Sequence, residues 1–316
     1  FSLYCSLVNL TFSAMDNSIH LKYLAISQTD LKWGMTINSV GFQNIAAHMS
    51  YPPNNHPSRY LFSTDNGRVL NEYQLLYITR GRGRFASRTT GYGRYQPVGE
   101  GNMFLLFPGE WHNYMPDRET GWDEFWIGFQ GRHIDYWTAS SFFTREKPIY
   151  NVGIHNEIVQ HYQQAIRVAI EQKSGFQQVL SGIVNYLLGL AYSYDKNYVF
   201  ETSEVIDQIG RAKILIADQF KTIRPKQIAE ELNMSYSNFR KIFKEYTGFA
   251  PAQYIQEMKL SKAKELLTNS SMPIKEIAYL MGFENHEYFF TAFKKKNGVP
   301  PADYRHLTQG NALIQE

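Results

Sequence analysis

The sequence predicts an α+β chain of two domains: a β-rich N-terminal domain followed by helices, and an all-α C-terminal domain holding a duplicated helix-turn-helix. Three observations carry this. The heptad G-x-x-P-A-x-Y is written twice near the C-terminus, from Gly248 to Tyr254 and from Gly298 to Tyr304. Between about Trp33 and Phe129, short runs dense in Tyr, Phe and Trp are separated by Gly-bearing turns, as strands of a small barrel or sandwich require. After Asn151 the apolar spacing changes to a helical period.

Composition bounds the function. At 316 residues the chain accommodates two cores. Its formal net charge is +3, and the excess lies in the repeated half: residues 204–305 carry 16 Lys plus Arg against 12 Asp plus Glu, whereas residues 1–203 carry 16 of each. A polyanionic partner for the C-terminal half is the consequence. The single cysteine, Cys5, excludes an internal disulfide framework and suits a reducing compartment. No apolar run reaches the roughly 20 residues that cross a bilayer. A cytoplasmic protein without a membrane partner is expected. Residues 1–14 precede the first methionine, Met15, which is a candidate natural start, and the sequence leaves open whether they are native; they fall within an N-terminal arm spanning 1–32.

In the β-rich domain, residues 33–150, the runs YQLLYIT (73–79) and MFLLFP (103–108) read as strands, and GRGRF (81–85) and GYGRYQPVGEGN (91–102) as hairpin turns. Alternation along WDEFWIGFQ puts Glu124, Trp126 and Gly128 on one face and Phe125, Ile127 and Phe129 on the other. Two helices follow in residues 151–193. The first carries Ile158, Tyr162, Ile166 and Ala169 on one stripe. The second carries Phe176, Val179, Leu180, Ile183, Leu187 and Leu190, which is more apolar than a helix covering one barrel needs and is expected to form a homodimer interface. The polar stretch 194–203 reads as a linker.

The repeat in residues 204–306 extends upstream of the paired heptads. Phe239 and Phe243-Lys244 recur fifty residues later as Phe289 and Phe293-Lys294, and Ile228-Ala229 recurs as Ile277-Ala278 at forty-nine. Two copies are too few for a solenoid and describe a duplicated helical module. In SYSNFRKIFKEY, Ser235 suits an N-cap while Phe239, Ile242, Phe243 and Tyr246 form the buried stripe. Ser237, Arg240, Lys241 and Lys244 then point outward. With the short helix of QIAEELNM (227–234) before it, this is a helix-turn-helix whose second helix enters the major groove. The second copy, PIKEIAYLMGF then HEYFFTAFKKK, buries Phe289 and Phe293 and presents His286, Glu287, Phe290, Thr291 and Lys294. A connecting helix over 251–267 would span roughly 25 Å. Residues 307–316 are read as a tail.

The stretch from Ile228 to Arg305, with its run GFEN-HEYFF-AFKK-G-PP-YR, closely resembles the DNA-binding domain of AraC-type transcription regulators. The resemblance implies double-stranded DNA as partner, with base contacts from Ser237, Arg240 and Lys241 in the first unit and Glu287, Phe290 and Thr291 in the second. Thr291 departs from the family, where Arg is usual at that position. The runs YQLLYITRGRGRF and EGNMFLLFPGEWHNYMPDRETGWDEFWIGFQG (100–131) resemble the cupin-type effector domain of sugar-responsive members. That likeness implies a sensor of a small carbohydrate and an activator of carbohydrate-use genes, acting through RNA polymerase. A sugar site combines aromatic faces with charged or amide groups that bond hydroxyls, and Arg80, Tyr114, Glu124, Trp126 and His112 supply that mixture. Trp126 would act as a partly exposed stacking platform. The alternatives are a cupin metal enzyme, which needs clustered His and Glu ligands whereas no H-x-H occurs here, and a ligand-free dimeric regulator. No enzyme activity and no cofactor are expected.

Overall fold

A computed structural model describes residues 20–52, 64–198 and 205–309. Residues 1–19, the 199–204 part of the linker and the tail beyond 309 lie outside the described residues. The chain divides into two compact units, Phe1–Val199 and Phe200–Glu316.

Nine strands are described in the first unit: β1 (His20–Tyr23), β2 (Thr36–Ile45), β3 (Arg68–Val69), β4 (Tyr73–Ser87), β5 (Gln96–Gly99), β6 (Asn102–Leu106), β7 (Trp111–Pro116), β8 (Trp122–Gln130) and β9 (Ile149–Asn151). Their pairing is antiparallel, in the order β1-β2-β8-β4-β6-β9, with β3, β5 and β7 joining through the far half of β4. The result is jelly-roll-like, not a closed barrel, and β4 belongs to both sheets. Its residues 73–81 pair with β8 and its residues 82–87 with β5 and β7. The run GRGRF is therefore strand, where turns were expected. Glycine is needed at the bend: Gly81 has φ +83°, and a Cβ there would lie 2.1 Å from the Gly121 carbonyl oxygen.

The alternation along β8 decides what each face packs against. Phe125, Ile127 and Phe129 join the large core with Tyr162, Ile166, Leu180 and Leu187 of two helices, while Trp122 and Trp126 join a second core with Leu76, Phe85, Phe104 and Tyr114. Four helices are described in the same unit: α1 (Gln28–Leu31), α2 (Arg132–Ala139), α3 (Asn156–Glu171) and α4 (Phe176–Tyr198). Helix α4 is bolted to β2 by Gln177, whose amide accepts from Ile37 N and donates to Ile37 O, both at 2.9 Å. The β2 ladder shifts register between Ile37 and Ser39, and the Gln177 side chain satisfies the backbone groups that the irregularity releases.

Three features of the first unit differ from expectation. Leu180, Ile183 and Leu187 are buried inside the unit's own core and Phe176 and Leu190 pack against it, so of the stripe on α4 Val179 alone is left exposed to a second copy. The stripe is as apolar as it is because it covers a sheet rich in aromatic residues. The N-terminal arm is also shorter than supposed, since β1 pairs with β2 and Gln178 bonds Asp30 at 3.1 Å. Helix α4 continues to Tyr198, through residues assigned to the linker.

The second unit is helical: α5 (Val205–Gln219), α6 (Pro225–Glu231), α7 (Tyr236–Thr247), α8 (Pro251–Asn269), α9 (Ile274–Leu280), α10 (His286–Asn297) and α11 (Pro301–Thr308). Helix α11 occupies the start of the expected tail. Phe239 and Phe243 of α7, Ile277 and Ala278 of α9, and Phe289 and Phe293 of α10 are fully buried in one core with Ile255, Ala263 and Leu267 of α8. The apolar positions repeated in the sequence are thus the positions that hold the two helix pairs to the connecting helix.

Candidate ligand site and nucleic-acid interface

Inside the first unit, the face of β8 that carries Glu124 and Trp126 looks onto β7, β3 and the far half of β4. Glu124 is 3% exposed. Burial pushes its carboxyl up to about 8, with the Arg68 guanidinium pulling the other way. At neutral pH it is mostly protonated, and a carboxylic acid offers one donor besides its acceptors. The Tyr51 hydroxyl lies 3.4 Å from each of its oxygens.

His112 is buried, and its roles follow from its two neighbours. Arg68 Nε donates to His112 Nε2 at 3.2 Å, so the ring proton sits on Nδ1, which donates to the Glu110 carbonyl at 3.1 Å. Burial first, and then the Arg68 charge, hold its pKa down to about 3. The ring is neutral at any physiological pH. Arg68 also donates through Nη2 to the Tyr114 hydroxyl at 2.7 Å and to Gln74 at 3.4 Å. The interior thus contains a continuous polar run from Glu110 through His112, Arg68 and Tyr114 towards Glu124.

Four of the five residues read from the sequence come together: His112, Tyr114, Glu124 and Trp126. Trp126 is 5% exposed and packed in the second core, so it is buried core and not a partly exposed platform. Arg80 stands apart. It pairs with Asp123, Nε to Oδ2 at 3.0 Å and Nη2 to Oδ1 at 2.9 Å, on a side chain 46% exposed. The register explains this: Ile78 faces Glu124, a bulge intervenes, and Arg80 faces Asp123. The extra residue turns Arg80 onto the outward face and out of the interior.

Sequence reasoning missed Arg68, Tyr51 and Gln43. Gln43 is cross-strand from Glu124, is 1% exposed, and has no hydrogen-bond partner on either amide atom among the described residues. Ser39, paired with Gly128 on the same face, is fully buried with its hydroxyl likewise unpartnered among those residues. A buried amide or hydroxyl without a partner costs about 1–3 kcal/mol. Such groups persist where something else satisfies them. Among the described residues, no three His, Cys, Asp or Glu side chains gather as metal ligands would, and both nitrogens of His112 are already engaged.

In the second unit, Ser235 caps α7 by accepting from Asn238 N at 3.3 Å, and Gly248 ends it in the left-handed region. Ser237, Arg240, Lys241 and Lys244 are exposed on the face opposite Phe239 and Phe243. None of the three cations is in an ion pair among the described residues. In α10, Asn285 caps by accepting from Glu287 N at 2.7 Å. Glu287, Thr291 and Lys294 are exposed, while Phe290 is half-buried, packed edge-on against His286 and Phe289. The Thr291 hydroxyl donates to Glu287 O at 3.0 Å, so its proton is engaged within the helix. The first outer face is cationic, and the second opens on an acid and an aromatic ring.

Residues 56–188 match the family of AraC-like ligand binding domains, and residues 228–306 match a helix-turn-helix domain family. The MmsAB operon regulatory protein of Pseudomonas aeruginosa is 24% identical, over 90% of this chain and 97% of its own. The raffinose operon transcriptional regulatory protein RafR of Pediococcus pentosaceus is 25% identical, over 78% and 88%, and the lactose operon transcription activator of Staphylococcus xylosus is 23% identical, over 76% and 86%. These relatives are transcription regulators and not enzymes, and no helix among the described residues is long and apolar enough to cross a membrane. With a ligand-binding domain of the AraC type in one unit and a duplicated helix-turn-helix in the other, the chain belongs to the AraC-type transcription regulators.

Proposed function

We propose that the protein is an activator of carbohydrate-use genes whose effector is a small, uncharged sugar held in the interior of the first unit. The observation that supports this most is the buried amide of Gln43, unpartnered among the described residues and cross-strand from a carboxyl that burial keeps largely protonated; Ser39, unpartnered among those residues too, lies four residues further along the same face. Sugar hydroxyls both donate and accept. They are suited to an amide and a neutral acid on facing strands, with Tyr114 and Trp126 as apolar neighbours. The names of two relatives, regulators of raffinose and lactose operons, agree with that class.

DNA reading is assigned to Ser237, Arg240 and Lys241 of α7 and to Glu287, Phe290 and Thr291 of α10, with Lys244 and Lys294 on phosphates. A Glu can accept from cytosine N4, and a Phe can meet a thymine methyl. A homodimer remains part of the proposal, but its contact must use side chains the unit leaves exposed, such as Ile170, Val179 and Tyr186. RNA polymerase is the remaining partner.

The test is a thermal-shift panel of mono- and oligosaccharides on the parent and on Gln43→Leu. Leu removes an unsatisfied amide, so the variant should be more stable than the parent by about 1–3 kcal/mol without sugar and should lose the shift that the best sugar gives the parent. A panel in which no sugar shifts the parent contradicts the reading and favours a regulator without a ligand.

A further inference from the structure

A lysine on the connecting helix serves two helix ends at once. Lys259 lies in the middle of α8, half-buried. Its ammonium donates to the Gly282 carbonyl at 2.8 Å and to the Lys221 carbonyl at 3.1 Å, and sits 5.5 Å from the centre of the Phe283 ring. Gly282 follows the last turn of α9, in the turn of the second helix-turn-helix, and Lys221 follows the last turn of α5. Both carbonyls are at the negative ends of helices, where a cation is favoured and where backbone oxygens lack intrahelical partners. Burial lowers the lysine pKa, with Glu284 opposing.

The two backbones are also in direct contact. Gly282 has φ +75°, and a Cβ there would fall 2.3 Å from Lys221 O. Only glycine permits that approach. Lys262, one turn further along α8, places its ammonium 4.1 Å from the centre of the Phe220 ring, beside the same α5 terminus. Three segments that the apolar core joins only by their inner faces are thus fastened at one outer point.

We propose that Lys259 is a positioning residue for DNA reading: by fastening the turn of the second helix-turn-helix to α8 and to the end of α5, it fixes the separation at which α7 and α10 meet the duplex. The inference rests on both helices entering DNA. Two binding elements held rigidly gain affinity only when their spacing matches that of their sites; a loosened pair tolerates mismatch and binds the matched site less tightly. One inserted base pair displaces the second half-site by about 3.4 Å and turns it by roughly 35°.

The experiment uses the full chain and a duplex selected by the parent protein from a random pool, with and without one base pair inserted between the two protected segments. The active fraction of each preparation is fixed by stoichiometric titration. Insertion should weaken the parent at least about tenfold. Lys259→Met, which keeps the apolar stem but donates nothing, should bind the selected duplex about threefold or more weakly yet lose no more than about twofold on insertion. Lys259→Arg, which retains donors, should keep the parent's insertion penalty. An unchanged penalty in Lys259→Met overturns the proposal. So does an equal loss on every duplex with a shallower salt dependence, which is the behaviour of a phosphate contact. If the parent itself ignores the insertion, the two-helix reading fails, and the proposal with it.

Discussion

Replacing Glu124 by glutamine should reverse part of the pH dependence of the first unit's stability. Burial raises this carboxyl from an ordinary 4.5 to about 8. Between those values the unfolded chain has lost the proton while the folded chain still holds it, so the folded state binds more protons and stability falls as pH rises. Each pH unit in the window removes about 1.4 kcal/mol, or about 5 kcal/mol from pH 4.5 to 8. The loss is absent below pH 4.5 and complete above 8. Glutamine has nearly the same shape and never ionises, so parent and variant should be equally stable near pH 5 and diverge as pH rises. At pH 8 the variant should melt higher, by on the order of 10 °C for a unit of this size. The assay is a pair of melting curves at each of several pH values, and their difference cancels every titration the two proteins share. Parallel curves from pH 5 to 8 would show that Glu124 is ionised in the folded state, paired with Arg68 or hydrated, and the case for a neutral acid facing the ligand would fall with it.

Four further substitutions have outcomes fixed by the same structure. Arg240→Ala should lower affinity for specific DNA by about 1–3 kcal/mol and relax discrimination at one base pair, whereas Lys244→Ala should reduce the salt slope by about one unit on any sequence; equal losses for Arg240→Ala on specific and random duplexes would refute its base-reading role. Trp126→Ala should cost about 3–5 kcal/mol with or without sugar, because the ring is buried core; a variant that melts like the parent would return it to the role of a platform. Leu187→Asp should abolish the cooperative melting of the first unit, where an interface residue would merely give a folded monomer; sedimentation of a soluble, folded variant would restore the stripe to a dimer contact.

Much of the architecture was legible because it is written locally. The repeated phenylalanines give the buried faces of α7 and α10, Ser235 and Gly248 mark the ends of α7, and the alternation of β8 separates Glu124 and Trp126 from Phe125, Ile127 and Phe129. What escaped depends on pairing between distant segments. Plain alternation from Ile78 puts Arg80 beside Glu124, and only the bulge in the ladder turns it to Asp123. A glycine-rich run reads as a turn, yet Gly81 and Gly83 let β4 pass close to β7 and β8 without ending it. An apolar stripe records that something covers a helix, not whether the cover is the same chain, so the stripe on α4 reads equally as a dimer contact. Gln43 and Arg68 lie in unremarkable strands, 81 and 56 residues from Glu124. Neither has a local pattern that marks it.

The claim that the first unit senses a sugar in order to govern DNA binding by the second is tested most directly by one titration. Affinity of the full chain for its selected duplex is measured with and without the best sugar from the panel, at fixed salt and pH. Coupling between two sites amounts to roughly 5–150-fold in affinity, and it is reciprocal, so the duplex must change the affinity for the sugar by the same factor. A change in that range is expected, equal in both directions and absent in Gln43→Leu. Sugar binding at full occupancy that leaves duplex affinity within about twofold would contradict the claim.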